Sequence, residues 1–147
     1  TSYGIENLDP RNERLAEDKS LSIEIENNFS SVMNNWGKNP LFKKQKDRNL
    51  KEWNLQKHIR LNHNKYQLAK SLNSFSSGRM NYFGDILHTF DFPLVIISGN
   101  EDEKYLKIGH KAMRVNRNVQ HFIVDKSGHN SHLENPDLFI DIINNME

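Results

Sequence analysis

The sequence predicts an α/β protein in two parts, a helical segment over residues 1–90 and a parallel β-α-β-α segment over residues 91–147. Three observations predict it. Val95, Ile96 and Ile97 form an apolar run between Pro93 and Ser98-Gly99, the mark of a short strand covered on both faces. Tyr105, Ile108 and Ala112 then recur at helical spacing over 104–115, and Phe122, Ile123 and Val124 form a second strand closed by Ser127-Gly128. Before Phe92 there are four or five helical stretches and no convincing strand. A strand, helix, strand series of this length makes two parallel strands with a right-handed crossover.

Taken in order, residues 1–8 read as a loop. Asp9-Pro10 is a helix start, Asp as N-cap and Pro at the first helical position. The charged stretch that follows places Arg11, Arg14 and Asp18 three and four apart on one face, suited to ion pairs within the helix or to gripping an anion. Leu21, Ile25, Phe29, Val32 and Trp36 continue as a helical stripe that Gly37 ends and Pro40 keeps from resuming. A basic amphipathic helix is predicted over 43–60, another over about 64–75, and a short one over 79–87. After the second strand, Asn135-Pro136 opens a closing helix whose Leu138, Phe139, Ile142, Ile143 and Met146 should pack on the sheet.

In sheets of this kind the chemistry lies beyond the carboxyl ends of the strands. Asp102 and His129 each follow a strand end, so the fold brings them to one edge. An acid orienting a histidine that activates a nucleophile is the Asp–His half of a catalytic triad. Asp125 also follows a strand and competes for the acid role, but it lies four residues from His129, too near along the loop, and the Gly99-Asn-Glu-Asp102 context favours Asp102. The nucleophile itself is missing: no Gly-x-Ser-x-Gly elbow occurs, and Ser74-Phe-Ser-Ser-Gly78 has neither a leading glycine nor a preceding strand. His129 and His132 have no third ligand placed with them, so neither a metal nor a cofactor is expected. His58, His63, His88, His110 and His121 have no recognisable partners and are read as solvent or rim residues.

Composition narrows the rest. A net charge of +1 gives no reason to expect nucleic acid or an anionic membrane surface as partner. The absence of cysteine excludes disulfides and thiolate metal sites. No apolar run approaches the roughly 20 residues that span a bilayer, and Thr1-Ser-Tyr-Gly-Ile-Glu6 lacks the regions of a signal peptide. A cytoplasmic location is the expectation, or a plastid one in a eukaryote. With 35% hydrophobic residues and a mean hydropathy of −0.81, the chain is polar for a self-contained globule. An isolated strand pair is marginal in water. An N-terminal half, or a second copy pairing through the strand edges, is the expected partner.

A helical lid followed by strand-Asp, strand-His and a closing helix resembles the C-terminal half of the α/β-hydrolase superfamily. Within it, Arg11/Arg14 with Asp18, Trp36-Gly-Lys-Asn-Pro-Leu-Phe42, Arg60-Leu-Asn62, Gly99-Asn-Glu-Asp102-Glu-Lys104-Tyr105 and Gly128-His129-Asn-Ser-His132-Leu-Glu134 are similar to the pattern of one branch. That branch is the 2-succinyl-6-hydroxy-2,4-cyclohexadiene-1-carboxylate synthase family of menaquinone and phylloquinone biosynthesis. Gly-His alone is shared by many hydrolases; the longer run together with Trp36, Pro40 and Phe42 is far more specific. The resemblance covers essentially all of this chain but half of the family's length. It implies a lyase that eliminates pyruvate, with Asp102 and His129 catalytic. Arg14, Trp36 and Arg60 are implied as substrate-binding residues for a small anionic substrate bearing several carboxylates. Whether Arg11 or Arg14 turns inward is left open by their spacing. Without the nucleophile, the chain alone is expected to be inactive. The alternatives are part of another α/β-hydrolase acting on ester or C–C bonds, and a non-catalytic binding module that retains the cap.

Overall fold

Residues 2–42 and 44–146 are described by the structure, a computed structural model. They fall into two units, Thr1–Lys38 with Leu55–Asp85, and Asn39–Asn54 with Ile86–Glu147.

The first unit is helical. Its long helix α1 (Leu8–Trp36, 29 residues) runs through both the charged stretch and the apolar stripe, with a kink at Asn28, where φ is −130° and ψ 39°. The N-cap is Asn7, and Asp9 lies in the first turn. The expected Asp9 cap is thus displaced by two residues, since Leu8 already has helical geometry. Helix α1 packs on α4 (Lys65–Ser74). Their contact buries Ile25, Val32, Met33 and Ala69, with Leu21, Phe29, Leu61, Leu68 and Leu72 packed around them. Most of the apolar stripe read from the sequence is therefore this core. Helix α4 begins where Asn64 accepts the N–H groups of Tyr66 and Gln67, each at 3.1 Å.

No α-helix forms over 79–87; a single 3-10 turn, Leu87–Thr89, begins at its end. The carbonyls of Gly78 and Met80 accept the Arg11 guanidinium instead, at 3.5 and 3.2 Å. At Gly78 a Cβ would lie 2.7 Å from the Arg11 carbonyl oxygen, so the close approach of the two backbones depends on that glycine.

The basic helix expected over 43–60 is two helices, α2 (Gln45–Arg48) and α3 (Leu50–Leu61). Lys43 lies outside the described residues. The break is at Asn49, with φ −145° and ψ 80°. Its side-chain oxygen accepts the Glu52 N–H at 3.2 Å, and its amide group donates to the Leu133 carbonyl at 3.3 Å. Both bonds favour a cap over a continuous helix.

In the second unit, β1 (Leu94–Gly99), α5 (Glu103–Val115) and β2 (Val119–Val124) form the expected series of strand, helix and parallel strand. Leu94 pairs with Val119 and Gly99 with Val124. The pleat sets Ile96 and Ser98 beside His121 and Ile123 on one face, and Val95 and Ile97 beside Phe122 on the other. Ala112 and Val124 are fully buried, whereas Val95 and Ile123 remain 42% and 43% exposed. The described strands number two, so each has one edge without a strand neighbour. A one-turn helix α6 (Ser131–Glu134), absent from the sequence reading, precedes α7 (Pro136–Asn144), which Asn135 caps and which packs on β2. Among the described residues no helix is long and apolar enough to cross a membrane.

Candidate active site

Two loops meet at the carboxyl edge of the strands. After β1, Gly99 allows the chain to pass against the loop that follows β2; a Cβ there would lie 2.3 Å from the carbonyl oxygens of both Ser127 and Gly128. After β2 the chain turns sharply through Lys126, whose φ of 51° is in the left-handed region. The loops are laced by backbone. Asn100 N–H donates to Val124 O and Glu101 N–H to Ser127 O, both at 3.0 Å. The Asn100 side chain adds two bonds, donating to Asp125 at 2.6 Å and accepting the Ser127 N–H at 3.2 Å.

This lacing brings Asp102 and His129 together. His129 Nδ1 lies 2.7 Å from Asp102 Oδ2, and the carboxylate is buried, its side chain 6% exposed. The other oxygen, Oδ1, accepts the Tyr105 N–H at 3.2 Å and caps α5. Asp125, the competing acid, is exposed and bonded to Asn100. The rings of Tyr105 and Phe42 flank the imidazole, with centroids 5.1 and 6.1 Å away. With Nδ1 committed to the carboxylate, the remaining nitrogen, Nε2, can accept a proton from a nucleophile or a substrate. Ser127 is beside the histidine in sequence, but it is fully buried and its hydroxyl donates to Val124 O at 2.8 Å.

The pair opens on a cleft of about 410 Å³ that Lys44, Arg48, Glu101, Lys104 and Glu134 also line. Arg48 pairs with Glu134 and, at 2.5 Å, with Glu101, which Lys44 meets at 2.8 Å. The bonds from Arg48 and then Lys44 pull the Glu101 carboxyl down to about 2. Glu101 and Glu134 lie within the sequence motifs without any sign there of this pairing, and no local pattern points to Arg48.

In the helical unit, Trp36 and Arg60 line one cavity of about 200 Å³, together with Ile25, Met33, His63, Leu68 and Leu72. Burial lowers the Arg60 guanidinium from its ordinary value, though a guanidinium stays protonated throughout the working pH range. Arg14 bonds Asp18 at 2.9 Å, and that carboxylate is buried. Arg11 is the residue whose guanidinium holds the Gly78 and Met80 carbonyls. His121 is not a rim residue. It is partly buried, its Nε2 lies 2.7 Å from Ser98 Oγ, and its ring meets that of His110 at 5.2 Å. Burial, and then the charge of His110, lower its basicity.

A parallel strand pair carrying an acid after one strand and a histidine after the next, joined at 2.7 Å, is the C-terminal part of an α/β-hydrolase fold. Comparison with known proteins shows what the chain is similar to. The chain is 30% identical, over 97% of its length, to a Bacillus subtilis (strain 168) protein assigned provisionally as a 2-succinyl-6-hydroxy-2,4-cyclohexadiene-1-carboxylate synthase. It also superposes on the solved structure of MenH from S. aureus with a TM-score of 0.92 and 26% identity, again over 97% of its length. It covers 53% of the first and 54% of the second, so the chain spans about half the length of the relatives it matches. No family model matches.

Proposed function

We propose that this chain supplies the Asp–His half of the catalytic machinery, and the helical cap, of a 2-succinyl-6-hydroxy-2,4-cyclohexadiene-1-carboxylate synthase. The observation that carries the reading is the 2.7 Å Asp102–His129 pair, set in a chain aligned over 97% of its length with such a protein. Residues 1–90 act as the cap and 91–147 as part of the catalytic core, in the cytoplasm or a plastid. Asp102 fixes the imidazole tautomer, and His129 Nε2 takes the proton of a serine delivered by an N-terminal half. That serine, so activated, removes a proton from the substrate, pyruvate leaves, and the ring diene forms. Oxyanion-hole N–H groups, also from the N-terminal half, hold the negative charge that develops on the conjugated carbonyl. Arg14 and Arg60 bind substrate carboxylates and Trp36 gives an apolar wall. No metal or cofactor takes part.

The N-terminal half pairs along the open strand edges and covers Val95 and Ile123, exposed on the two faces of the strand pair. The test is to purify the chain, measure its mass in solution, and assay pyruvate release with and without the separately expressed N-terminal half of the Bacillus subtilis relative. A stable, inactive oligomer that gains turnover on complementation is expected. Turnover by the chain alone as a monomer, or none after a stable complex has formed, overturns the proposal.

A further inference from the structure

The Asp102–His129 pair is held by a device that none of its own bonds supplies. Glu101 directly precedes the acid, and Gly128 directly precedes the histidine. Glu134 reaches back from the end of α6 to accept the Gly128 N–H at 3.1 Å, and its side chain is only 1% exposed. Arg48, on α2, sends Nη1 to that same Glu134 oxygen and Nη2 to Glu101 Oε1. A guanidinium is a rigid planar fork, so its two arms fix the separation of the carboxylates they grip. Here one arm is tied to the acid loop and the other to the histidine loop. Two neighbours on the same segment reinforce the second tie: Asn130 donates to buried Gln45 at 3.0 Å, and Asn49 to the Leu133 carbonyl at 3.3 Å.

From this geometry we infer that Arg48 and Glu134 are positioning residues, a clip that sets the spacing of the acid and histidine loops and so keeps His129 Nδ1 on Asp102. The inference rests on the reading of His129 as the working base. Neither residue needs to touch substrate; each acts through the residue beside the one it holds. A buried carboxylate requires a partner, and Arg48 is that partner, so the clip is lost from either end. Lys44 also binds Glu101, but it is exposed and reaches only the acid loop, so it cannot set the spacing.

The experiment follows the His129 Nδ1 proton by NMR in the 147-residue chain, measuring its exchange with water in the parent and in Arg48→Met, Glu134→Gln and Lys44→Met. Circular dichroism reports on folding. A hydrogen bond to a carboxylate that is loosened by the clip's loss should exchange about tenfold faster. That is expected for Arg48→Met and Glu134→Gln, with Lys44→Met unchanged. Should Arg48→Met fail to fold, Glu134→Gln, which keeps the shape and removes the charge, decides. A protected proton in the parent that is equally protected in Glu134→Gln overturns the clip and leaves the reading of His129 standing. No protected proton in the parent overturns that reading as well.

Discussion

Gly99→Ala is the sharpest test of how the site is built. The new methyl would sit 2.3 Å from two carbonyl oxygens, Ser127 O and Gly128 O, and 2.6 Å from Ser127 C. A carbon and a carbonyl oxygen approach to about 3.3 Å at closest in ordinary contacts. Roughly 1 Å must therefore be found, and every obstructing atom is backbone, so no side chain can swing aside to provide it. The strand pair resists this because Asn100 and Glu101 bond across the same gap. If the histidine loop yields by that amount, the 2.7 Å Asp102–His129 bond stretches past hydrogen-bond range. Overpacking of this kind costs about 1–3 kcal/mol, and a hydrogen bond to a charged group is worth about 1.5–3 kcal/mol. The sum, about 2.5–6 kcal/mol, is a large fraction of a domain's stability. Urea unfolding of parent and variant measures it. A variant within about 0.5 kcal/mol of the parent, the range of a neutral surface change, would refute the claim that the two loops are in obligatory contact.

Three further outcomes are expected. Burial holds the folded-state pKa of His121 below its ordinary 6.5, so the unfolded chain takes up the proton first; the stability from His121 is complete above about pH 6.5 and declines as pH falls toward the folded value. Urea midpoints at neutral and mildly acidic pH check this, and His121→Gln should flatten that part of the profile. Ile25→Ala should cost about 2–5 kcal/mol by thermal unfolding, because Ile25 is 2% exposed in the α1–α4 core. In the complemented enzyme, Arg60→Ala should weaken substrate binding roughly 10- to 150-fold, as expected where a carboxylate loses a charge-assisted partner worth about 1.5–3 kcal/mol; unchanged kinetics would return Arg60 to a structural part.

What sequence patterns revealed here was local. The run Val95, Ile96, Ile97 and the spacing of Tyr105, Ile108 and Ala112 each report on a single element, and both elements formed where expected. Asp102 and His129 were legible because each follows a strand, and parallel strands share an edge. The losses have a common cause in contacts between distant residues. The stretch 79–87 carries Asn81, Gly84 and Asp85, poor helix formers, and carbonyls at its start are held by Arg11, 67 and 69 residues away. Asn49 breaks a continuous amphipathic pattern partly through Leu133, 84 residues on. Arg48 looks like any helix-surface arginine until the fold sets Glu134 beside it, 86 residues later. His121 needed the strand register, which alone puts Ser98 within reach.

The divided carboxylate of Asp102 carries a consequence for the lineage of such chains. One oxygen caps α5 and the other holds the imidazole. Asn and Ser cap a helix about as well as Asp, and Thr nearly so. A descendant can therefore exchange Asp102 for any of them and keep the cap of α5. What goes is the charge-assisted bond to the histidine, worth about 1.5–3 kcal/mol. The helix by itself therefore puts little restraint on position 102; it is the bond to His129 that asks for an acid there.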